Sequence, residues 1–431
     1  MRLIGNMEVK DNILYIGGVS TEKLVEEYKT PLYVIDEKLV RDKCRRYHKA
    51  FKADKNNKVT YAGKAFLNLA MCQIINSEGL YLDVVSEGEL YTALKSGFPM
   101  KKVYFHGNNK TLNEIEMGID LDVGRFVVDN LYELDKINSL AKEKGKIQKI
   151  LLRVTPGIEA HTHEYIKTGQ IDSKFGFTMI NGETIDGVKK AIGFSNIRLT
   201  GIHCHIGSQI FETKPYEDEV EIMLNLVKNI KDETGYEVEE LDLGGGFGIY
   251  YTPEDKPKTV EDFCSVILEK AELKAKELNM KLPSLVIEPG RSIIGNAGTT
   301  LYTIGAIKEI PAIRKYVSVD GGMVDNIRPA LYNAPYECAI ANKVEDESRE
   351  VVTVAGKCCE SGDILIKDVE LPKVQSGDIL AVFTTGAYGY SMASNYNKIP
   401  IPAVVLVKDG QSKLISKRQS FDNMIENQIM L

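Results

Sequence analysis

The sequence predicts an eight-stranded α/β barrel followed by a mostly β C-terminal domain that also takes in the N-terminal segment. Three observations support this expectation. From about residue 30 to 291, short apolar runs alternate with amphipathic stretches, the pattern of parallel strands joined by helical crossovers. The runs are nearly continuous in apolar residues, as strands buried on both faces are. After residue 291 helical spacing almost vanishes, and strands broken by Gly, Pro, Asp and Ser take over. A chain of 431 residues has ample material for two domains.

Taken in order, "NILYIGG" within the first 30 residues reads as a strand of the β domain. Nine apolar runs then follow: "PLYVID", "KVTYAGKA", "LYLDVVS", "KVYFHGNN", "RFVVDN", "KILLRVTPG", "LTGIHCHIGS", "LDLGGGFG" and "SLVIEPGR". Helical spacing resumes after Lys64 and fills 88–97, 111–118, 131–145, 182–193, 215–234 and 259–280. Eight strands close a barrel, so one run is surplus, and "PLYVID" is expected outside it as a lead-in strand. The later runs "TLYTIGAIKEI", "KYVSVDGGM", "EVVTVAGKCCESGDILIKDVEL", "GDILAVFTTGAY" and "IPAVVLVKDGQSKLISKR" build the β domain. The boundaries expected are 31–291 for the barrel and 1–30 with 292–431 for the β domain.

Composition is that of a globular protein: 43% hydrophobic, 27% charged. A net charge of -7 argues against a general nucleic-acid binder. The opening "MRLIGNMEVKDNILY" has charges where a signal peptide needs an apolar run, and no stretch is long and apolar enough to span a membrane. Seven scattered cysteines without a Cys-x-x-Cys suggest a reduced, cytoplasmic protein.

Chemistry in such a barrel sits at the carboxyl ends of its strands. Those ends carry Lys64, Asp83 and Ser86, His106 with Asn108, His205 with Ser208, Gly244 to Gly246, and Glu288 with Arg291. Lys64 stands between Gly63 and Ala65, where a solubilising lysine is out of place. The glycines of "LDLGGGFG" offer bare amides to an anion, helped if a helix begins there, or mark a turn forced by packing. They match neither a Walker loop nor a dinucleotide fingerprint. Ser208 would add a hydroxyl to the same anion. His203 and His205 share one face of a strand, and "HTHEY" holds a second spaced pair. Neither pair has a third ligand at convincing spacing, so no metal is expected. Cys204 reads as core. Glu288 and Arg291 form an ion pair or serve a cationic ligand atom, since a buried carboxylate needs a partner. "KCCESGD" and "GAYGYSM" add reactive and aromatic residues in turns, and adjacent cysteines cannot both point inward.

Together, Y-A-x-K-A, H-I-G-S-Q, G-G-G-F-G, E-P-G-R, C-E-S-G-D and the late G-A-Y, in this order over nearly the whole chain, resemble the pyridoxal-phosphate-dependent decarboxylases of the alanine racemase fold group. "FHGNNK" and "HTHEYIKTGQIDSKFGF" are similar to the branch that converts meso-2,6-diaminopimelate to L-lysine and carbon dioxide, the last step of lysine biosynthesis. The resemblance implies that Lys64 carries pyridoxal 5'-phosphate covalently, deep in the barrel mouth, where burial would lower its pKa and free its amine. It implies phosphate binding by Gly244, Gly245, Gly246 and Ser208, ring stacking by His205, and a ring-nitrogen contact from Glu288. Asp83, Gly290, Arg291 and Tyr388 join the cofactor site. Arg291, Arg328, Tyr332, Glu360 and Tyr388 are implied for substrate, with Arg328 and Tyr332 at the distal carboxylate and Glu360 at the distal ammonium. Cys359 matches the proton donor, with Cys358 as a local rival in the doubled cysteine. A homodimer with sites at the subunit interface is implied too. The polar, glycine-flanked 157–177 segment is a candidate to close over substrate. The competing readings are a decarboxylase for another basic amino acid such as ornithine, a racemase, and a non-catalytic cofactor-binding homologue.

Overall fold

The computed structural model describes residues 2–52, 56–157 and 173–431. Two compact units are present: Met1–Asp42 with Ile249–Asp255 and Ile293–Leu431, and Lys43–Gly248 with Lys256–Ser292.

The second unit is the barrel. Its eight parallel strands are Lys58–Ala62, Tyr81–Val84, Val103–Phe105, Arg125–Val128, Gln148–Thr155, Ile197–His203, Glu240–Asp242 and Ser284–Ile287. Each pairs with the next, and the last pairs with the first. Strand residues are buried almost throughout, which is why the sequence shows apolar runs rather than alternation. A two-residue strand not foreseen from the sequence, Phe177–Thr178, pairs with Val154 and Thr155.

The crossover helices start where polar side chains can satisfy the free N–H groups of a first turn. Asn68 accepts from Met71, Ser86 from Glu89 and Asn130 from Glu133, while Thr111 with Glu114 and Thr259 with Asp262 form capping boxes. Ser86, expected as a rim group, is therefore a helix cap. The helices Glu87–Lys95, Leu112–Asp120, Leu131–Glu143, Glu183–Gly193, Lys214–Thr234 and Val260–Glu277 follow the amphipathic stretches of the sequence within two or three residues.

In the other unit, a sheet runs in the order Ile364–Pro372, Arg349–Ala355, Arg314–Val319, Gly298–Ile310, Leu32–Asp36, Ala403–Lys408, Gln411–Ser416. The surplus run thus stands outside the barrel. Leu32–Asp36 lies between Gly298–Ile310, antiparallel, and Ala403–Lys408, parallel. Leu14, Ile16 and Val19 of the N-terminal strands share one core with Leu32, Val34, Leu301 and Val405. This is why the first residues belong to the β domain.

Candidate active site

Parallel strands of a closed barrel all end on one side, so one rim collects every residue that follows a strand. The chain leaves the first strand in a tight turn, Gly63–Ala65, and Lys64 sits on that turn. Its side chain is exposed. The expected burial deep in the barrel mouth is therefore corrected. The charge of Lys64 acts on Asp83, Glu89 and His205. Close packing around the turn explains its small neighbours. A Cβ on Gly63 would meet the Asp83 carbonyl oxygen at 2.7 Å, and one on Gly290 would meet Ala62 Cβ at 2.9 Å.

Beside the lysine lies a buried ionisable cluster. Glu288 follows the eighth strand and is 8% exposed. His106, which follows the third strand, brings Nε2 to 2.8 Å from Glu288 Oε1. His203, the last residue of the sixth strand, brings Nε2 to 3.2 Å from Oε2. The two imidazoles meet edge to face at 4.9 Å. Burial alone would raise the Glu288 pKa, but His106 and then His203 outweigh it and hold the carboxyl well below its usual range. His106 would lose its proton to burial were it not for Asp83 and Glu288, which together raise its pKa. Asp83 lies 3.8 Å from His106. Burial pushes Asp83 up to about 6, with His106 opposing and Glu288 adding to the rise. Asp242, on the seventh strand, is raised by burial and by Glu288. Burial lowers His203 to about 4.

His205 is half-buried. Its Nδ1 accepts from the Gly245 N–H at 3.3 Å, and burial, Lys64 and Arg153 hold it well below the usual histidine range. His203 and His205 thus meet different partners, Glu288 and the Gly245 N–H. The three groups whose ligand atoms come within 4.8 Å of one another are His106, His203 and Glu288.

The glycines are dictated by close approach. A Cβ on Gly244 would lie 2.7 Å from His205 Nδ1, one on Gly245 2.2 Å from the Glu288 carbonyl oxygen, and one on Gly246 2.4 Å from the Gly207 carbonyl oxygen. Gly244 and Gly246 also have positive φ. No helix begins there, since the next one starts at Val260, so the expected dipole contribution is withdrawn. In its place, Arg291 donates Nη2–H to Ser208 Oγ at 2.9 Å, and Ile210 donates to the Gly246 carbonyl and accepts from the Gly248 N–H. A guanidinium, a hydroxyl and side-chain-free backbone together suit a phosphate.

The remaining predicted residues belong to the β unit. Arg328 opens a short helix, Arg328–Tyr332, and is 8% exposed. Its Nη1–H donates to the Tyr336 hydroxyl at 2.5 Å and its guanidinium lies 5.0 Å from the Tyr251 ring. Burial opposes its charge, yet Tyr251 and Tyr336 keep its pKa raised. No carboxylate of the described residues pairs with it. Tyr332 ends the same helix, half-buried. Tyr388 is half-buried at φ +60° and adds to the field at Arg328. "KCCESGD" forms the loop between the strands Arg349–Ala355 and Ile364–Pro372. Cys358 N–H donates to Asp363 at 2.8 Å, and burial together with Asp363 pushes its thiol up to about 12. Cys359 is exposed, its N–H bonded to Asn397, and Glu360 beside it is exposed too. The doubled cysteine resolves into one thiol held inward and one facing out.

Sequence reasoning missed His106 and His203 as partners of Glu288, and gave no role to Asp242, Glu89 or Arg153. Arg153 lies 3.9 Å from Asp129 and its guanidinium 4.1 Å from the Phe175 ring. The polar interruption of otherwise apolar strands was the available signal. "HTHEY" and most of the 157–177 segment lie outside the described residues.

Comparison with known proteins is consistent over the whole chain. The family model of the pyridoxal-dependent decarboxylase, pyridoxal binding domain, matches residues 37–295. The diaminopimelate decarboxylase of Bacillus methanolicus is 53% identical over 407 residues, 94% of each chain. That of Bacillus subtilis (strain 168) is 50% identical over 414 residues, 96% of this chain and 94% of that one. Among solved structures, diaminopimelate decarboxylase from M. jannaschii in co-complex with L-lysine superposes with a TM-score of 0.93 at 39% identity, covering 99% of this chain and 98% of the other.

Proposed function

The chain belongs to the diaminopimelate decarboxylases, and on that premise we propose that it converts meso-2,6-diaminopimelate to L-lysine and carbon dioxide with pyridoxal 5'-phosphate as cofactor. The observation that carries the reading is the single rim holding Lys64 beside the Glu288 cluster and the Arg291–Ser208 cradle. That rim fits the cofactor. Asp83 Oδ1 is buried without a hydrogen-bond partner among the described residues, and the glycine cradle excludes any Cβ. The bound cofactor supplies an electron sink for the pair left on carbon when carbon dioxide departs.

The residues then take these proposed roles. Lys64 offers its amine for attachment at the barrel mouth. Ser208, Gly244, Gly245, Gly246 and Arg291 hold the phosphate, with Gly290 leaving room beside Lys64. Glu288 would accept from the ring nitrogen and keep it protonated. A carboxylate held charged in a buried place does this well, because its field is little screened. Asp83 balances His106 behind it, and His205 would stack on the ring. Arg328 and Tyr332 take the distal carboxylate, Glu360 the distal ammonium, and Tyr388 contacts cofactor and substrate. The exposed thiol of Cys359 delivers a proton to the carbon that lost its carboxylate, and with Glu360 it serves a neighbouring subunit of a homodimer in the cytoplasm. No described helix is long and apolar enough to cross a membrane.

Arg328 also supports the substrate over ornithine. A buried guanidinium set against the Tyr336 hydroxyl and the Tyr251 ring gains from a carboxylate and is left short by a substrate without one, at a cost of about 1–3 kcal/mol. The test is carbon dioxide release from meso-diaminopimelate and from ornithine. Turnover should favour the former and vanish in Lys64→Ala. Preference for ornithine overturns the substrate, and uptake of the cofactor without any turnover points to the non-catalytic alternative.

A further inference from the structure

We infer that His106 and His203 are positioning residues that grip the two oxygens of Glu288 from the ends of two other strands and so fix the plane in which that carboxylate meets the cofactor ring. The inference rests on the proposed cofactor site and deepens it.

The geometry is specific. His106 Nε2 stands 2.8 Å from Oε1 and His203 Nε2 3.2 Å from Oε2, so each oxygen has its own imidazole. The edge-to-face contact of the rings at 4.9 Å sets one histidine against the other. His106 is backed by Asp83 at 3.8 Å. All four side chains are at most 8% exposed, so water is not available to replace these contacts. Two ordinary core histidines would satisfy one another or the backbone. Here both Nε2 atoms converge on one carboxylate, and that carboxylate stands in a negative neighbourhood with Asp83 and Asp242. Arg153, Lys64 and the two histidines are the cationic or protonatable groups that act on this cluster. Without the imidazoles, Glu288 could rotate about its last torsion and would gain a proton more readily, and both changes weaken a contact to a protonated ring nitrogen.

The experiment compares His106→Leu, His203→Leu and the conservative His106→Gln, whose amide nitrogen reaches the Nε2 position. Cofactor dissociation constants are measured by absorbance on the reconstituted protein. For each leucine variant we expect cofactor affinity to fall about 10–100-fold and kcat to fall with little change in KM, and we expect His106→Gln to recover part of both. A residue with only a packing role would lower the melting temperature and leave cofactor affinity and the KM-against-kcat split unchanged in the folded protein. That outcome would overturn the inference. So would stoichiometric uptake of Zn2+ by the cofactor-free protein that is lost in His203→Leu, since it would reassign the cluster as a metal site. A second readout separates this inference from the reading beneath it. Imidazole 15N spectra of the cofactor-free protein should change at both His106 and His203 in Glu288→Gln. No change there refutes the grip. Failure of the wild type to bind cofactor, with the spectral change present, refutes the decarboxylase reading instead.

Discussion

Lys110 closes the loop that carries His106, and its removal is the most direct test of how the rim is held in place. Its ammonium donates to the Gly107 carbonyl at 2.9 Å, the Val127 carbonyl at 2.8 Å and Glu133 Oε1 at 2.7 Å. The two charged side chains are only 1% and 2% exposed. Glu133 also accepts from the Asp129 N–H at 3.1 Å, so one ion pair ties the third strand's loop to the end of the fourth strand. Lys110→Met leaves a carboxylate buried without a counter-charge and two carbonyls short of a donor, at a cost of about 3–5 kcal/mol. For a domain of this size each kcal/mol is worth about 2–4 °C, so thermal unfolding should come roughly 6–20 °C earlier. Burial raises the Glu133 pKa even with Lys110 beside it. In the variant it rises further, so the deficit should shrink as the pH is lowered and Glu133 takes up a proton. The double variant Lys110→Met/Glu133→Gln should recover much of the loss, because the amide still accepts from Asp129 and can donate to a stranded carbonyl. The reasoning is refuted if Lys110→Met melts within about 2 °C of the wild type, or if the double variant is no more stable than the single one.

Three further outcomes follow from the same geometry. Gly245→Ala places a methyl 2.2 Å from a backbone oxygen that cannot swing away. Stability should fall by about 1–3 kcal/mol or more with loss of cofactor retention, whereas Gly193→Ala, with nothing within 4 Å, should melt normally. Glu219 is fully buried, accepts from the Cys204 thiol, and burial raises its pKa from 4.5 to about 8. The folded state therefore keeps a proton that the unfolded chain has lost, and stability falls as pH rises from about 4.5 to about 8. Glu219→Gln should melt above the wild type by a margin that widens across that window, and a constant margin would contradict the assignment. Arg328→Leu should lower kcat/KM for meso-diaminopimelate by about 10²-fold or more while leaving cofactor affinity near the wild-type value, measured by steady-state kinetics and absorbance titration.

Periodicity alone located the barrel strands and most of the crossover helices, but not the helices Thr21–Tyr28 and Glu37–Ala50 or the short strand Phe177–Thr178. Apolar runs mark strands covered on both faces, and amphipathic stretches mark helices covered on one, so both kinds of burial leave a local trace. The same holds for Lys64, Asp83, His205, Glu288 and Arg291 as rim groups, because a polar residue at the end of an apolar strand is visible without knowing its partners. Contacts between residues far apart in the chain leave no such trace. The sequence shows His106, His203 and Glu288 on three separate runs, and only the closing of the barrel brings their side chains within 4.8 Å. It likewise shows Lys64 after a strand, but the turn Gly63–Ala65 decides that the side chain is exposed. The three consecutive glycines are plain in the sequence, whereas the reason for each is a backbone oxygen or ring on another strand. Local burial pattern is a property of the chain itself; which charge faces which is a property of closure, and that is where the tertiary structure decided the chemistry.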